Sequence, residues 1–249
     1  MKIDGLIFDF GFTLFEFRNA SIETYFECFR KGLRKSIEKL RETNILNNEE
    51  IIKQFSKLFK KKRTQYFKQS LKTKKEFPTS NVFELVLDEL NLEKINREIY
   101  FELADLYHSY EEKEWVPFKN TKDTLEKLSN FKNLKMAVLS NHPHHMTIIN
   151  LLKKYDLMEF FNAVVTSAEF GKRKPDPDIF LYTLKKMGLE KPETCMVCGD
   201  EHADIVGGDR AGLQTILCKR MLRFPFEREI NVPNYIKVND ISEILNHIH

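Results

Sequence analysis

Apolar positions along the chain follow two different periods, and the change of period divides it into three stretches. Short β-branched or apolar runs stand at residues 6–10 (LIFDF), 136–141 (MAVLSN), 163–167 (AVVTS), 195–200 (CMVCGD) and 214–218 (QTILC), with 235–238 (YIKV) a weaker sixth. Helical spacing fills the intervals at 121–128, 146–154 and 177–187. Strand and helix in alternation predict an α/β fold, a parallel sheet covered by helices on both faces. The middle of the chain reads differently. No glycine stands between Gly32 and Gly171, and Pro78 is the only proline between Arg18 and Trp115. Ile51, Ile52, Phe55, Leu58, Phe59, Tyr66, Phe67 and Leu71 recur at steps of three and four, as do Val82, Leu85, Val86 and Leu90. A helical insertion over 18–115 is therefore expected between core segments 1–17 and 116–249.

Ligands of open parallel sheets sit at the carboxyl ends of the strands, and polar residues gather there. Asp9 ends the first run, Ser140 and Asn141 the second, and Gly199 with Asp200 the fourth. Asp9, Asp200 and Asp204 would converge on one sheet edge, where three carboxylates repel unless a cation joins them. An all-oxygen set suits Mg2+, which takes one or two carboxylates and keeps several waters. Lys174, in a loop stiffened by Pro175 and Pro177, offers a positive charge, and Ser140 and Asn141 offer neutral donors. A carboxylate nucleophile, a divalent cation, a lysine and a hydroxyl are what a transferring phosphoryl group needs.

Composition narrows the field without redirecting it. The 249 residues, 42% apolar, suffice for one core, or one core and an inserted module. A net charge of +3 from 40 basic and 37 acidic side chains provides no bulk footprint for nucleic acid. Cys28, Cys195, Cys198 and Cys218 read as buried thiols of a reducing, cytoplasmic compartment. Asp4 and Asp9 interrupt the first apolar run, so a signal peptide is not expected, and no window carries the roughly 18 apolar residues of a membrane helix.

FDFGFTL, VLSN, GKRKPDPDIF and CGDEHADIVGGDRAGLQTI, in that order and spacing, resemble the four motifs of the haloacid-dehalogenase-like (HAD) hydrolase superfamily. The resemblance covers 1–17 and about 116–220, and the helical insertion resembles that superfamily's first type of cap in position and character. It implies a Rossmann-like core and a small phosphorylated metabolite as substrate. Asp9 would take the phosphoryl group as an aspartyl phosphate; Ser140, Asn141 and Lys174 would hold phosphate. Asp9, the Gly11 carbonyl, Asp200 and Asp204 would serve Mg2+. One position departs from the pattern. Most phosphatases of the family carry, two residues after the nucleophile, an aspartate that protonates the leaving group and then activates water, a step worth roughly a hundred- to ten-thousand-fold. Here that residue is Gly11. Glu16, His142 or a cap residue could substitute, or the leaving group could need no acid. Alternatively the chain could bind phosphorylated ligands without turnover, or cleave carbon–halogen or carbon–phosphorus bonds. Dehalogenases need no metal, and the acidic GDEHAD speaks against them; phosphonate cleavage would need a cap lysine.

Duller readings stand beside these. Asp9 could cap a strand end, Ser140 and Asn141 could begin a helix, and Asp204 could cap one. Glu201 could approach the metal or face solvent, and Asp209 reads as an exposed helix residue. His142, His144 and His145 read as a polar loop near the site, because adjacent histidines lack the spacing of a metal pair. Cys195 and Cys198, three apart on a strand, should face opposite sides rather than form a redox pair. From Lys53 to Lys75 there are ten basic residues and no acidic one, read as a solvated helix face or as a positive surface for anions. Residues 222–249 suggest a terminal strand and helix.

Overall fold

The structure, a computed structural model, describes residues 2–18, 21–219 and 228–248. Six strands, β1 Gly5–Phe8, β4 Lys135–Ser140, β5 Ala163–Thr166, β6 Cys195–Gly199, β7 Gln214–Cys218 and β8 Ile236–Val238, form one parallel sheet. Their spatial order is β5-β4-β1-β6-β7-β8. Each strand lies where the apolar runs predict it, within two residues. Alternation decides which face each residue serves. Leu6 and Phe8 enter one core with Met136, Val138, Met196 and Cys198, whereas Ile7 enters the opposite one with Ala137, Leu139, Val197 and Cys195. Each of the large aliphatic and aromatic side chains among them contributes about 1.5–3 kcal/mol by leaving water. Cys195 and Cys198 thus face opposite sides, and all four cysteines are free and buried.

The middle segment forms α1 (Ile22–Glu42), α2 (Glu49–Thr73), α3 (Thr79–Glu89) and α4 (Arg97–His108), followed by the single turn α5 (Glu111–Glu114). Leu40, Phe55, Phe59, Val82, Phe83, Val86 and Leu103 close an apolar core of their own, apart from the sheet. Side-chain caps at Ser21, Asn48 and Asn96 start three of these helices. Beyond the segment, helices cover both faces of the sheet: α6 (Thr121–Ser129), α7 (His145–Lys154), the short α8 (Ser167–Phe170), α9 (Pro177–Lys186) and α10 (His202–Arg210). The chain leaves the sheet through β2 (Phe15–Phe17) and returns through β3 (Trp115–Pro117), which pair antiparallel. Periodicity could not reveal this ribbon, because each strand has three residues and its partner lies about a hundred residues away.

The expectation of a terminal strand and helix is met differently. Residues 222–227 lie outside the described residues; beyond them stand β8 and a 3-10 helix, Ile241–His247, opened by the Asp240 carboxylate accepting from the Ser242 N–H. Among the described residues no helix is long and apolar enough to cross a membrane. The basic run lies on α2 up to Thr73, with Lys74 capping that helix in a left-handed conformation. Within it, Lys62 pairs with Glu89 at 2.5 Å and Arg63 lies over the Tyr107 ring, while Lys60, Lys61 and Lys68 line a shallow open surface.

Candidate functional site

β1 stops at Phe8, and the chain then turns sharply at the carboxyl edge of the sheet. The Asp9 N–H donates to the Cys198 carbonyl at 2.9 Å, extending the pairing by one bond and fixing the carboxylate at the strand tip. Leu14 N–H and Phe15 N–H both return to the Phe10 carbonyl, and Phe12 takes a left-handed conformation with φ 60°. Such backbone is costly for a large side chain and persists where packing imposes it. Here the Phe12 ring rests edge-on against Trp115, with centroids 5.4 Å apart.

Lys174 is the centre of the site. Its ammonium is buried and donates to Asp9 Oδ1 at 2.5 Å, Asp204 Oδ1 at 2.6 Å and the Leu139 carbonyl at 2.9 Å. An ammonium has three protons, so all are engaged. An arriving anion would have to exchange with one of these acceptors. Asn141 secures the loop that carries the lysine: its Oδ1 accepts the Lys174 N–H at 2.8 Å and its Nδ2 donates to the Lys174 carbonyl at 3.1 Å. This side chain, expected to hold phosphate, is engaged with main chain and positions Lys174. Ser140 ends β4, buried beside it.

Asp204 stands in the first turn of α10, where its carboxylate also accepts the Glu201 N–H at 3.3 Å. It therefore caps its helix and faces the lysine at once. Its closeness to β6 requires glycine at 199: a Cβ there would lie 2.2 Å from the Asp204 Cγ. Oxygens of Asp9, Asp200 and Asp204 lie within 4.8 Å of one another. Thr13 Oγ1 reaches Asp200 Oδ1 at 3.5 Å. Burial is the main influence on Asp9 and pushes its pKa up to about 7; Lys174 opposes the rise and Asp204 adds to it. Lys174 is held well above the ordinary lysine range: burial works against its charge, but the Asp204 and Asp9 carboxylates outweigh it.

Gly11 lies beneath the indole of Trp115. A Cβ at this position would stand 3.1 Å from the ring. The indole is wedged among Phe10, Phe12 and Phe17, with centroids 5.7, 5.4 and 5.0 Å away, so it has little freedom to yield. Of the substitute acids considered from sequence, Glu16 points outward from β2. His142 turns toward the helical segment, where its Nε2 lies 3.1 Å from Glu111. Glu201, which from sequence could approach the metal or face solvent, stands exposed at the start of α10.

A second group of residues ties the helical segment to the loop of Lys174, and sequence reasoning missed it. Buried Glu76 accepts from Ser167 Oγ and Arg173 Nη1, both at 2.5 Å, and from the Phe77 N–H at 2.8 Å. Backbone bonds run alongside, from Glu76 N–H to the Gly171 carbonyl and from Arg173 N–H to the Lys74 carbonyl. Glu76 is the first acid after the basic run, and that was its one signal; its burial depends on a partner 97 residues away. Removing one member of a buried ion pair leaves the other uncompensated. Glu76→Ala is therefore expected to cost about 3 kcal/mol of stability, measured by urea unfolding, and to weaken anion binding through Lys174.

The chain matches the family model described as haloacid dehalogenase-like hydrolase over residues 6–218. It is 32% identical over 128 residues to the pyrophosphatase PpaX of Oceanobacillus iheyensis, covering 51% of this chain and 58% of that one. It is 38% identical over 103 residues to a phosphoglycolate phosphatase of Aquifex aeolicus, covering 41% and 46%. The match thus spans about half the length of these curated relatives. Among solved structures, a 2-haloacid dehalogenase from Pseudomonas syringae superposes with a TM-score of 0.62 at 16% identity, covering 98% of this chain and 97% of that one. Magnesium-bound YfnB of Bacillus subtilis superposes at 0.56 and 18% identity, covering 100% and 99%. At these identities the structural likeness establishes the fold alone, while the family model covers most of the chain. The protein belongs to the haloacid dehalogenase-like hydrolases.

Proposed function

We propose that this chain is a magnesium-dependent hydrolase of small phosphorylated metabolites, acting in the cytoplasm, with Asp9 as nucleophile. The observation that carries this reading is the buried Asp9 carboxylate at the tip of β1, held by the Lys174 ammonium and flanked by Asp200 and Asp204. The residues fit the cation. Their donors are all carboxylate oxygens brought within 4.8 Å of one another, a hard set suited to Mg2+. Asp9, Asp200, Asp204 and the Gly11 carbonyl would hold it. When bound, magnesium supplies neutralisation of phosphate charge.

The chain's own residues perform the remaining steps. Asp9 attacks phosphorus, forming a carboxyl–phosphate bond as the bond to the leaving oxygen breaks. Lys174, steadied by Asn141, and Ser140 orient the phosphoryl oxygens. Water then attacks phosphorus, releasing phosphate and regenerating Asp9. The helical segment 18–115 serves as the cap over the site and selects the substrate.

Gly11 and Trp115 favour one class of substrate. With glycine rather than an aspartate at residue 11, the leaving group is best one that accepts charge unaided, as the phosphate of an anhydride or the oxygen of an acidic alcohol does. Of the relatives' names, pyrophosphatase denotes such a leaving group, whereas phosphoglycolate phosphatase denotes an alkyl ester. Phosphate release should therefore be fastest from anhydrides and aryl esters and should fall steeply as leaving-group basicity rises. A panel of both, assayed with and without magnesium, tests this. No turnover of any member, despite bound phosphate, would replace the hydrolase with a phospho-ligand-binding protein, and halide release without metal would indicate dehalogenation.

A further inference from the structure

The helical segment and the sheet meet at a second polar cluster, remote in sequence from the aspartates. His108 ends α4, Glu111 opens α5 and His142 lies in the loop between β4 and α7. One ligating atom of each, two imidazole nitrogens and a carboxylate oxygen, lies within 4.8 Å of the others. His108 and Glu111 are buried, and the His142 side chain is 14% exposed, which leaves one side of the cluster open to water. His108 Nδ1 and His142 Nε2 both address Glu111 Oε1.

The outer nitrogens have partners that leave the inner ones able to ligate a cation. His142 Nδ1 lies 2.7 Å from the His144 carbonyl oxygen and also 3.2 Å from the His144 N–H, so its surroundings accommodate either neutral tautomer, and with the proton on Nδ1 the ring donates to that carbonyl. In that tautomer the Nε2 lone pair faces the Glu111 carboxylate at 3.1 Å, and a cation between them would join the two acceptors. His108 Nε2 likewise has a partner, Thr79 Oγ1 at 2.8 Å, able to accept its proton and free Nδ1 for a ligand. Imidazoles whose far nitrogens donate to a carbonyl and a hydroxyl are oriented as metal-binding histidines are. The His144 ring, stacked on His108 at 5.2 Å and bonded to Asp105, holds the arrangement from the other side.

We propose that His108, Glu111 and His142 form a zinc-type divalent metal site that pins the helical segment to the loop following Ser140 and Asn141. Two imidazoles and one carboxylate with an open fourth position suit zinc, whereas the oxygen-only aspartate cluster suits magnesium. The two sites therefore differ in metal as well as place. Zinc at this site fastens α4 and α5 to the segment that carries Asn141, and so to Lys174.

The test uses the full chain stripped of metal and titrated with Zn2+ in excess Mg2+. One equivalent is expected to bind, to raise the unfolding temperature and to show imidazole scattering in X-ray absorption. His142→Gln should lower zinc affinity at least about tenfold, and Thr79→Val, which removes the outer partner of His108, about tenfold. Absence of zinc uptake by the folded wild-type chain, an all-oxygen shell, or affinity unchanged in both variants would overturn the site. X-ray absorption reads the wild-type ligands directly, so it decides for or against the site whether or not either variant folds. If the cluster serves protons alone, no zinc binds and the proposal fails.

Discussion

Asp9→Asn is expected to abolish phosphate release while making the metal-free protein more stable at neutral pH. Loss of the attacking carboxylate should lower turnover on the order of ten-thousand-fold or more. The stability gain follows from burial. In the folded chain the Asp9 pKa is raised from 3.8 to about 7, chiefly because the charged form has lost its water. A carboxyl raised on folding favours the folded state fully below its unfolded pKa, and that advantage is lost as pH rises to the folded value. Between pH 8 and pH 3 the wild-type protein should therefore gain on the order of 4 kcal/mol from this group. Asn carries no such dependence. Calorimetric scans of metal-free protein should show the variant unfolding several degrees above wild type at pH 8, with the two converging near pH 3. Equal midpoints at pH 8 would mean that Lys174 offsets the burial cost of Asp9.

Gly11 is the other position where a single change should matter most. From motif logic alone, Gly11→Asp restores the general acid and should preserve or raise activity. The indole of Trp115 reverses this expectation. A Cβ 3.1 Å from a ring wedged among three phenylalanines is overpacked, and overpacking in a tight core costs about 1–3 kcal/mol. Gly11→Ala and Gly11→Asp should both unfold at lower urea concentration than wild type, and Gly11→Asp should gain no activity. Combining Gly11→Asp with Trp115→Phe gives the carboxyl room. That pair is expected to accelerate hydrolysis of alkyl esters by roughly a hundredfold and of anhydrides hardly at all. Equal acceleration of both substrate classes would show that leaving-group protonation does not limit this site.

The contrast between these two positions shows what can be read along the chain. Asp9, Lys174, Asp200 and Asp204 are legible because each occupies a fixed place relative to a strand end or a proline-stiffened loop. Short-range pattern carries that information. The two roles of Asp204, helix cap and site carboxylate, are each visible in sequence and are joined only by the approach of α10 to Gly199. Asn141 reads by its chemistry as a phosphate donor, yet its amide matches the Lys174 backbone across 33 residues of sequence. The adjacent histidines look too crowded for a metal pair. Their partners, His108 and Glu111, come from other elements and have no spacing relation to them.

Local pattern was enough to specify the alternating core, the long helical insertion and the carboxylates at the strand tips, because backbone period and turn chemistry act over a few residues. Packing between distant segments set which acceptors already engage Lys174, why a side chain at residue 11 is crowded by Trp115, and how Glu76 and His142 join the helices to the sheet. Those outcomes rest on burial and close approach between segments about a hundred residues apart, Gly11 with Trp115 and Glu76 with Arg173. Hydrophobic collapse brings such segments together, and no local period records which side chains will meet.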